Sequence, residues 1–370
     1  MVRRNILCVI GTRPEAIKMA PVIGALRAHP AGFAITVVAT AQHREMLDQV
    51  LANFAIRPDI DLDMMTDDQS LPELTARLLP ALDRVLATTS PDFVLAQGDT
   101  TTVLLAALAS FYRKVPFGHV EAGLRTHNPA SPFPEEMNRT LVGHLATRHY
   151  AATESAAANL RREGIPAEAI LVTGNTVIDA LHHMIARRPE LSFAIAPERR
   201  MVLVTAHRRE NFGAAFLNIC VALARLVEAH QDIEIVYPVH PNPNVREPAH
   251  RLLGHLDRVR LTPPLDYAGF VAAMVRSHLI ITDSGGVQEE APALAKPVLV
   301  LRQVTERPEA VAAGVVRVVG TDPETILREA GRLLTDPAAY AAMAKGVSPY
   351  GDGKAAGRIA DSLAGDLAVA

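Results

Sequence analysis

Two cysteines in 370 residues are too few for a disulfide framework. Cys8 falls in an apolar strand pattern and Cys220 in an apolar helix pattern, where a small buried thiol suits a reducing compartment. An excess of charge is also lacking: 37 basic residues face 40 acidic ones, the formal net charge is -3, and basic runs stop at pairs such as Arg199-Arg200. No electrostatic footprint for nucleic acid results. Nor is there an apolar stretch of membrane-spanning length. The amino-terminal run Ile6 to Ile10 is too short for a signal segment and leads straight into Arg13, Glu15 and Lys18. A cytoplasmic protein without nucleic-acid or membrane partners is the expectation. Tandem repeats and low-complexity tracts are missing as well, as are H-E-x-x-H and other metal-ligand spacings, G-x-S-x-G, and a cysteine-centred nucleophile. No metal is therefore assigned.

What the chain does have is 49% hydrophobic residues, enough for two cores. The runs NILCVIG, AITVVATA, DFVLAQG, PFGHVEA and RHYAATE alternate with segments of helical period such as TTVLLAALASFYRK, the grammar of a parallel sheet wrapped by helices. A second series begins near ILVTGN and runs through RMVLVTAH, IEIVYPVH, VRLTPPL, LIITDS and PVLVLR. The expected fold class is α/β with two doubly wound domains and a seam between Ala151 and Gly174. In such sheets ligands sit outside the carboxyl ends of the strands, so the informative residues are those where each apolar run stops.

The first turn, Gly11-Thr12-Arg13-Pro14-Glu15, lacks the G-x-G-x-x-G spacing of a dinucleotide fingerprint, which disfavours NAD. It offers Arg13 at the loop apex, Pro14 suited to the first helical position, and Lys18 one turn on. Two cations at a helix start suit a phosphate; an ordinary helix start with solvated charges is the bland alternative. The turn Ser284-Gly285-Gly286 opens a helix after an apolar run and makes a nest for an anion, unless Ser284 is a plain cap and the glycines mere turn residues. Glu290 is placed to accept from a ribose diol. Carboxylates gather at Asp99, Glu121, Glu135 and Glu136. Asp99 reads either as a catalytic group or as a cap of the helix beginning at Thr100, and Glu135 and Glu136 suit the positive end of a helix dipole. Glu121, inside an apolar run, needs a partner or a task. His207, with Arg208, Arg209 and Glu210 behind it, reads as structural or as a group facing a diphosphate.

Nearly end to end, from GTRPEAIKMAP through QGDTTT, HVEAGLRT, SPFPEEMNR, VTGNTVIDA, VTAHRREN, YPVHPNP and TDSGGVQEEAP to TERPEA, the chain resembles the non-hydrolysing UDP-N-acetylglucosamine 2-epimerases. The resemblance implies two Rossmann-like domains in a GT-B-like arrangement with the active site in the interdomain cleft. It implies a first domain of residues 1–170 with the last helix, about 355–370, returning to it, and a second, UDP-binding domain of residues 171–354. It implies a homodimer, no NAD, and interconversion of UDP-GlcNAc and UDP-ManNAc by elimination of UDP to 2-acetamidoglucal and re-addition. On this resemblance Asp99, Glu121, Glu135 and His207 are catalytic; Arg13, Lys18, Ser284, Gly285, Gly286, Glu290 and Arg307 hold the nucleotide, with Phe270 near the uracil.

The loop His127-Asn128-Pro129-Ala130 departs from the family's usual Gly, then Asn or Asp, and an aromatic before Ser-Pro. Contacts to a second, activating substrate would fall on Gln42, Arg208 and His240, although Glu45 replaces a glutamine of some members. The rival readings are a hydrolysing 2-epimerase, a GT-B glycosyltransferase with the same fold, and a non-catalytic nucleotide-sugar sensor.

Overall fold

In the computed structural model, which describes residues 3–40, 50–64, 66, 69–305 and 307–369, the apolar runs become two parallel sheets. The first holds β1 (Asn5–Ile10), β2 (Ala34–Ala39), β3 (Ile60–Asp61), β4 (Phe93–Gln97), β5 (Phe117–Ala122), β6 (Arg148–Ala151) and β7 (Ile170–Val172), in the spatial order β3-β2-β1-β4-β5-β6-β7. The second holds β8 (Arg200–Thr205), β9 (Ile233–Pro238), β10 (Val259–Thr262), β11 (Leu279–Thr282), β12 (Val298–Val300) and β13 (Val316–Val318), in the order β10-β9-β8-β11-β12-β13. Central strands such as β1 are buried on both faces, as a parallel sheet covered by helices requires. In each sheet the order reverses once, between β1 and β4 and between β8 and β11, and loops diverging there leave room for a ligand.

The chain divides into two compact units, residues 1–183 with 350–370, and residues 184–349. Strand β7 corrects one expectation: ILVTGN does not begin the second series but pairs with β6 through Ile170, Leu171 and Val172. A three-residue apolar run carries no signal for which sheet it will extend. Within the first unit the final helix, Ala355–Val369, packs on the helix Arg13–Ala28, and Asp179 accepts hydrogen bonds from Ala355 N and Ala356 N at its start. Both cysteines are buried, and burial pushes each thiol up to about 12, so neither is poised as a nucleophile. Among the described residues no helix is long and apolar enough to cross a membrane, and no group of three His, Cys, Asp or Glu is placed to hold a metal ion.

Candidate functional site

At the reversal point of the first sheet, the loops after β1 and β4 are tied by a carboxylate that sequence reasoning left as part of a motif. Glu15 is 2% exposed. Its Oε2 accepts from Gly11 N at 2.5 Å and Thr12 N at 2.9 Å, and its Oε1 accepts from the Thr100 hydroxyl at 2.5 Å. The Thr12 hydroxyl oxygen in turn accepts from Glu15 N, completing a capping box. Arg13 is the first helical residue, so Pro14 takes the second position, not the first. Thr-x-x-Glu was the available signal; the link to Thr100, 85 residues away, was not.

Burial, opposed by hydrogen bonds from Thr100, Gly11 and Thr12, raises the Glu15 carboxyl to about 7. A carboxyl raised in the folded state contributes fully to stability below its unfolded value, and the contribution is lost as pH rises through the folded one. The loss is on the order of 3 kcal/mol. In Glu15→Gln the amide oxygen can keep Gly11 and Thr12 while the NH2 donates to Thr100. The melting temperature of that variant, relative to the natural chain, is expected to climb between about pH 5 and about pH 8; a difference independent of pH would show that Glu15 is ionised throughout.

The three catalytic candidates of this unit differ in how they are held. Asp99 follows Gly98, whose φ of 94° admits a glycine readily. It does not cap the next helix: the cap is Thr100 and the helix starts at Thr101. The Asp99 side chain instead receives Arg139 Nη2 at 2.5 Å and Nε at 3.2 Å, and its carbonyl receives Asn138 Nδ2. Buried His119, pushed down to about 3 by burial, is neutral and donates from Nε2 to the Gly98 carbonyl at 2.7 Å. Glu121 sits at a register shift between β5 and β6 with φ 65°, a left-handed conformation unfavourable for a non-glycine residue. Its Oε2 accepts from Lys18 Nζ at 2.5 Å and Gln97 Nε2 at 3.1 Å. Lys18 thus lies on Glu121, a partner that an acidic residue in an apolar strand requires.

Glu135 and Glu136 open the helix Glu135–Leu145. Glu136 is structural: its carboxylate accepts from Thr126 N and His127 N and pairs with Arg139. Glu135, half-buried, makes no side-chain hydrogen bond or ion pair among the described residues.

In the second unit the equivalent tie at the reversal point is Asp283, which directly follows β11 and is fully buried. Its Oδ2 accepts from His207 N and Arg208 N, both at 2.8 Å, and from Asn211 Nδ2 at 3.1 Å. This fixes the turn after β8. The His207 ring stacks on His240 with centroids 5.6 Å apart and planes at 8°. Ser284 caps the helix Gly285–Glu290 by position only, since its side chain makes no cap hydrogen bond. A Cβ at Gly285 would stand 3.8 Å from Arg208 Nη2 and 3.9 Å from Arg307 Nη2, so two guanidiniums border the bare backbone of Gly285. Arg307 Nε also donates to buried Glu289 at 2.5 Å. Glu290 accepts from the Tyr267 hydroxyl at 2.8 Å, which joins it to the helix Tyr267–Arg276 that carries half-buried Phe270. Gln42 lies outside the described residues.

A family model described as UDP-N-acetylglucosamine 2-epimerase matches residues 25–364. The chain is 54% identical, over 97% of its length and 98% of the other's, to a UDP-N-acetylglucosamine 2-epimerase of Escherichia coli strain K12. Similar solved structures include UDP-GlcNAc 2-epimerase from Neisseria meningitidis bound to UDP-GlcNAc, with 48% identity, TM-score 0.91, and 97% of this chain and 99% of that one covered. Another is S. aureus MnaA with UDP, with 43% identity, TM-score 0.90, and 99% and 98% covered.

Proposed function

Because this chain belongs to the UDP-N-acetylglucosamine 2-epimerase family, we propose that it interconverts UDP-GlcNAc and UDP-ManNAc without hydrolysis, through elimination of UDP to 2-acetamidoglucal and re-addition. The ligands named for the Neisseria and S. aureus structures, UDP-GlcNAc and UDP, support a nucleotide-sugar substrate. The observation that carries the chemical reading is the trio Asp99, Glu121 and Glu135 in one unit, two of them held by Arg139 and Lys18 and the third unengaged.

The hydrogen on C2 has no adjacent carbonyl to acidify it, so it becomes removable only as the C1–O bond breaks and positive charge develops on the ring. UDP leaves with the C1–O electron pair; a carboxylate takes the C2 proton, and the C2–H pair becomes the C1–C2 double bond. Anchored carboxylates stabilise the cationic ring without having to reorganise. Arg13, Lys18, Ser284, Gly285, Gly286 and Arg307 hold the nucleotide's phosphates, Glu290 its ribose and Phe270 its uracil. His207 donates to the departing diphosphate. Arg208 and His240, with Gln42, are retained as the proposed contacts of a second substrate molecule. Three separate carboxylates favour epimerisation over glycosyl transfer.

The test is proton NMR with UDP-GlcNAc in deuterated water and no NAD. Deuterium entering C2 as UDP-ManNAc reaches a plateau is the expected result. Free N-acetylmannosamine with stoichiometric UDP would establish hydrolysis instead, and no change at C2 would overturn the reading.

We take the enzyme to act as a cytoplasmic homodimer. The packed helices Thr101–Arg113 and Glu135–Leu145 expose Phe111, Tyr112, Met137 and Leu141, an apolar surface of the kind buried between subunits. Tyr112→Asp with Leu141→Glu is expected to yield a monomer by light scattering; an unchanged mass would move the interface elsewhere.

A further inference from the structure

Within the Asp283 carboxylate the two oxygens are used unequally. Oδ2 takes three hydrogen bonds, from His207 N, Arg208 N and Asn211 Nδ2. Oδ1 is buried with no hydrogen-bond partner, yet lies 3.5 Å from His207 Nδ1. An unsatisfied oxygen on a fully buried carboxylate is costly, and a group kept at such a cost commonly marks a functional site. The His207 ring is held from two directions. Its backbone is fixed by the same carboxylate, and its face is stacked on His240, whose own Nδ1 accepts from Asn242 N at 3.2 Å. Nδ1 is therefore turned towards Asp283, which leaves Nε2, on the opposite edge of the ring, as the atom that can meet a ligand.

We propose that Asp283 is a positioning residue for His207: it keeps the proton of the neutral ring on Nδ1 and stabilises the imidazolium whose Nε2–H meets the departing UDP. This rests on the role given to His207 above. In the elimination the C1–O electron pair leaves on a β-phosphate oxygen. The Nε2 proton is donated to that oxygen as a hydrogen bond, and Asp283 balances the imidazolium charge without itself taking a proton. Re-addition reverses the sequence. The surroundings are finely opposed: burial, Arg208 and His240 press His207 below its ordinary value, and Asp283 resists them.

Asp283→Asn separates positioning from scaffolding. The amide oxygen can occupy the Oδ2 position and keep the three donors, while the NH2 points at His207 Nδ1 and donates to it. The neutral ring is then forced into the Nε2–H tautomer, and its titration falls to lower pH because the carboxylate charge has gone. With ring-15N histidine in the full-length protein, NMR is expected to show Nδ1–H in the natural chain and Nε2–H in the variant. The kcat is expected to fall at least 30-fold, and its high-pH limb to move to lower pH, with UDP affinity little changed.

An Nε2–H neutral tautomer in the natural chain overturns the proposal, and that measurement needs no substitution should the variant fail to fold. An unshifted His207 titration and pH profile in a folded variant overturns it too, even with activity lost. His207→Gln keeps the two hypotheses apart. Full epimerisation by that variant would sink the catalytic role of His207, whereas the resting-state tautomer reports on Asp283 regardless of activity.

Discussion

Asparagine in place of Asp99 is expected to lower epimerisation turnover by about 10²- to 10⁴-fold, the range for removal of a positioned acid–base group. The substitution keeps the shape of the side chain and removes its charge and basicity. Arg139 would still be held through Glu136, and Asn138 would still reach the Asp99 carbonyl, so the loop after β4 has no reason to move. UDP affinity by calorimetry should therefore stay near that of the natural enzyme. A loss confined to kcat is the signature of an interaction made in the transition state. Turnover within a few-fold of normal would remove Asp99 from the catalytic set and leave Glu121 and Glu135 to carry the proton.

Arg307→Ala should weaken UDP binding by about 30-fold or more, since truncating one partner of a buried charge pair costs about 2 kcal/mol at least. Two effects combine. A guanidinium leaves the neighbourhood of Gly285, and the Glu289 carboxylate, 1% exposed, loses the Nε donor at 2.5 Å and keeps its negative charge close to the expected diphosphate site. Glu289→Gln in the Arg307→Ala background isolates the second effect. The double variant should recover thermal stability and part of the affinity. Affinity restored in full would mean that Arg307 only screens Glu289, and affinity unaltered by Arg307→Ala would withdraw it from the nucleotide site.

The carboxyl ends of the apolar runs could be read directly, because a parallel sheet covered on both faces writes its strands as unbroken apolar stretches and leaves polar residues only where they stop. Asp99, Glu121, His207 and Ser284 stand out in that way as polar residues at or beside strand ends. Hidden were the relations that need the third dimension. Nothing local shows that Glu15 reaches Thr100, that Asp283 accepts from the turn after β8, or that Arg208 and Arg307 border the same glycine. The strand β3 is hidden for another reason: two residues carry no period. Sequence alone allows Asp99 a capping role because aspartate precedes many helices, but the next residue, Thr100, is an equally good cap and takes the position.

The return of the helix Ala355–Val369 to the first unit sets an order of events during synthesis. Residues 184–349 are contiguous and emerge from the ribosome ahead of the helix that closes the other unit, so the second core can consolidate while the first still waits with the surface of Arg13–Ala28 uncovered. A released chain ending at residue 349 should therefore resist protease in its latter half and be cut in its former. The amino-terminal half, although made first, is the last to be finished.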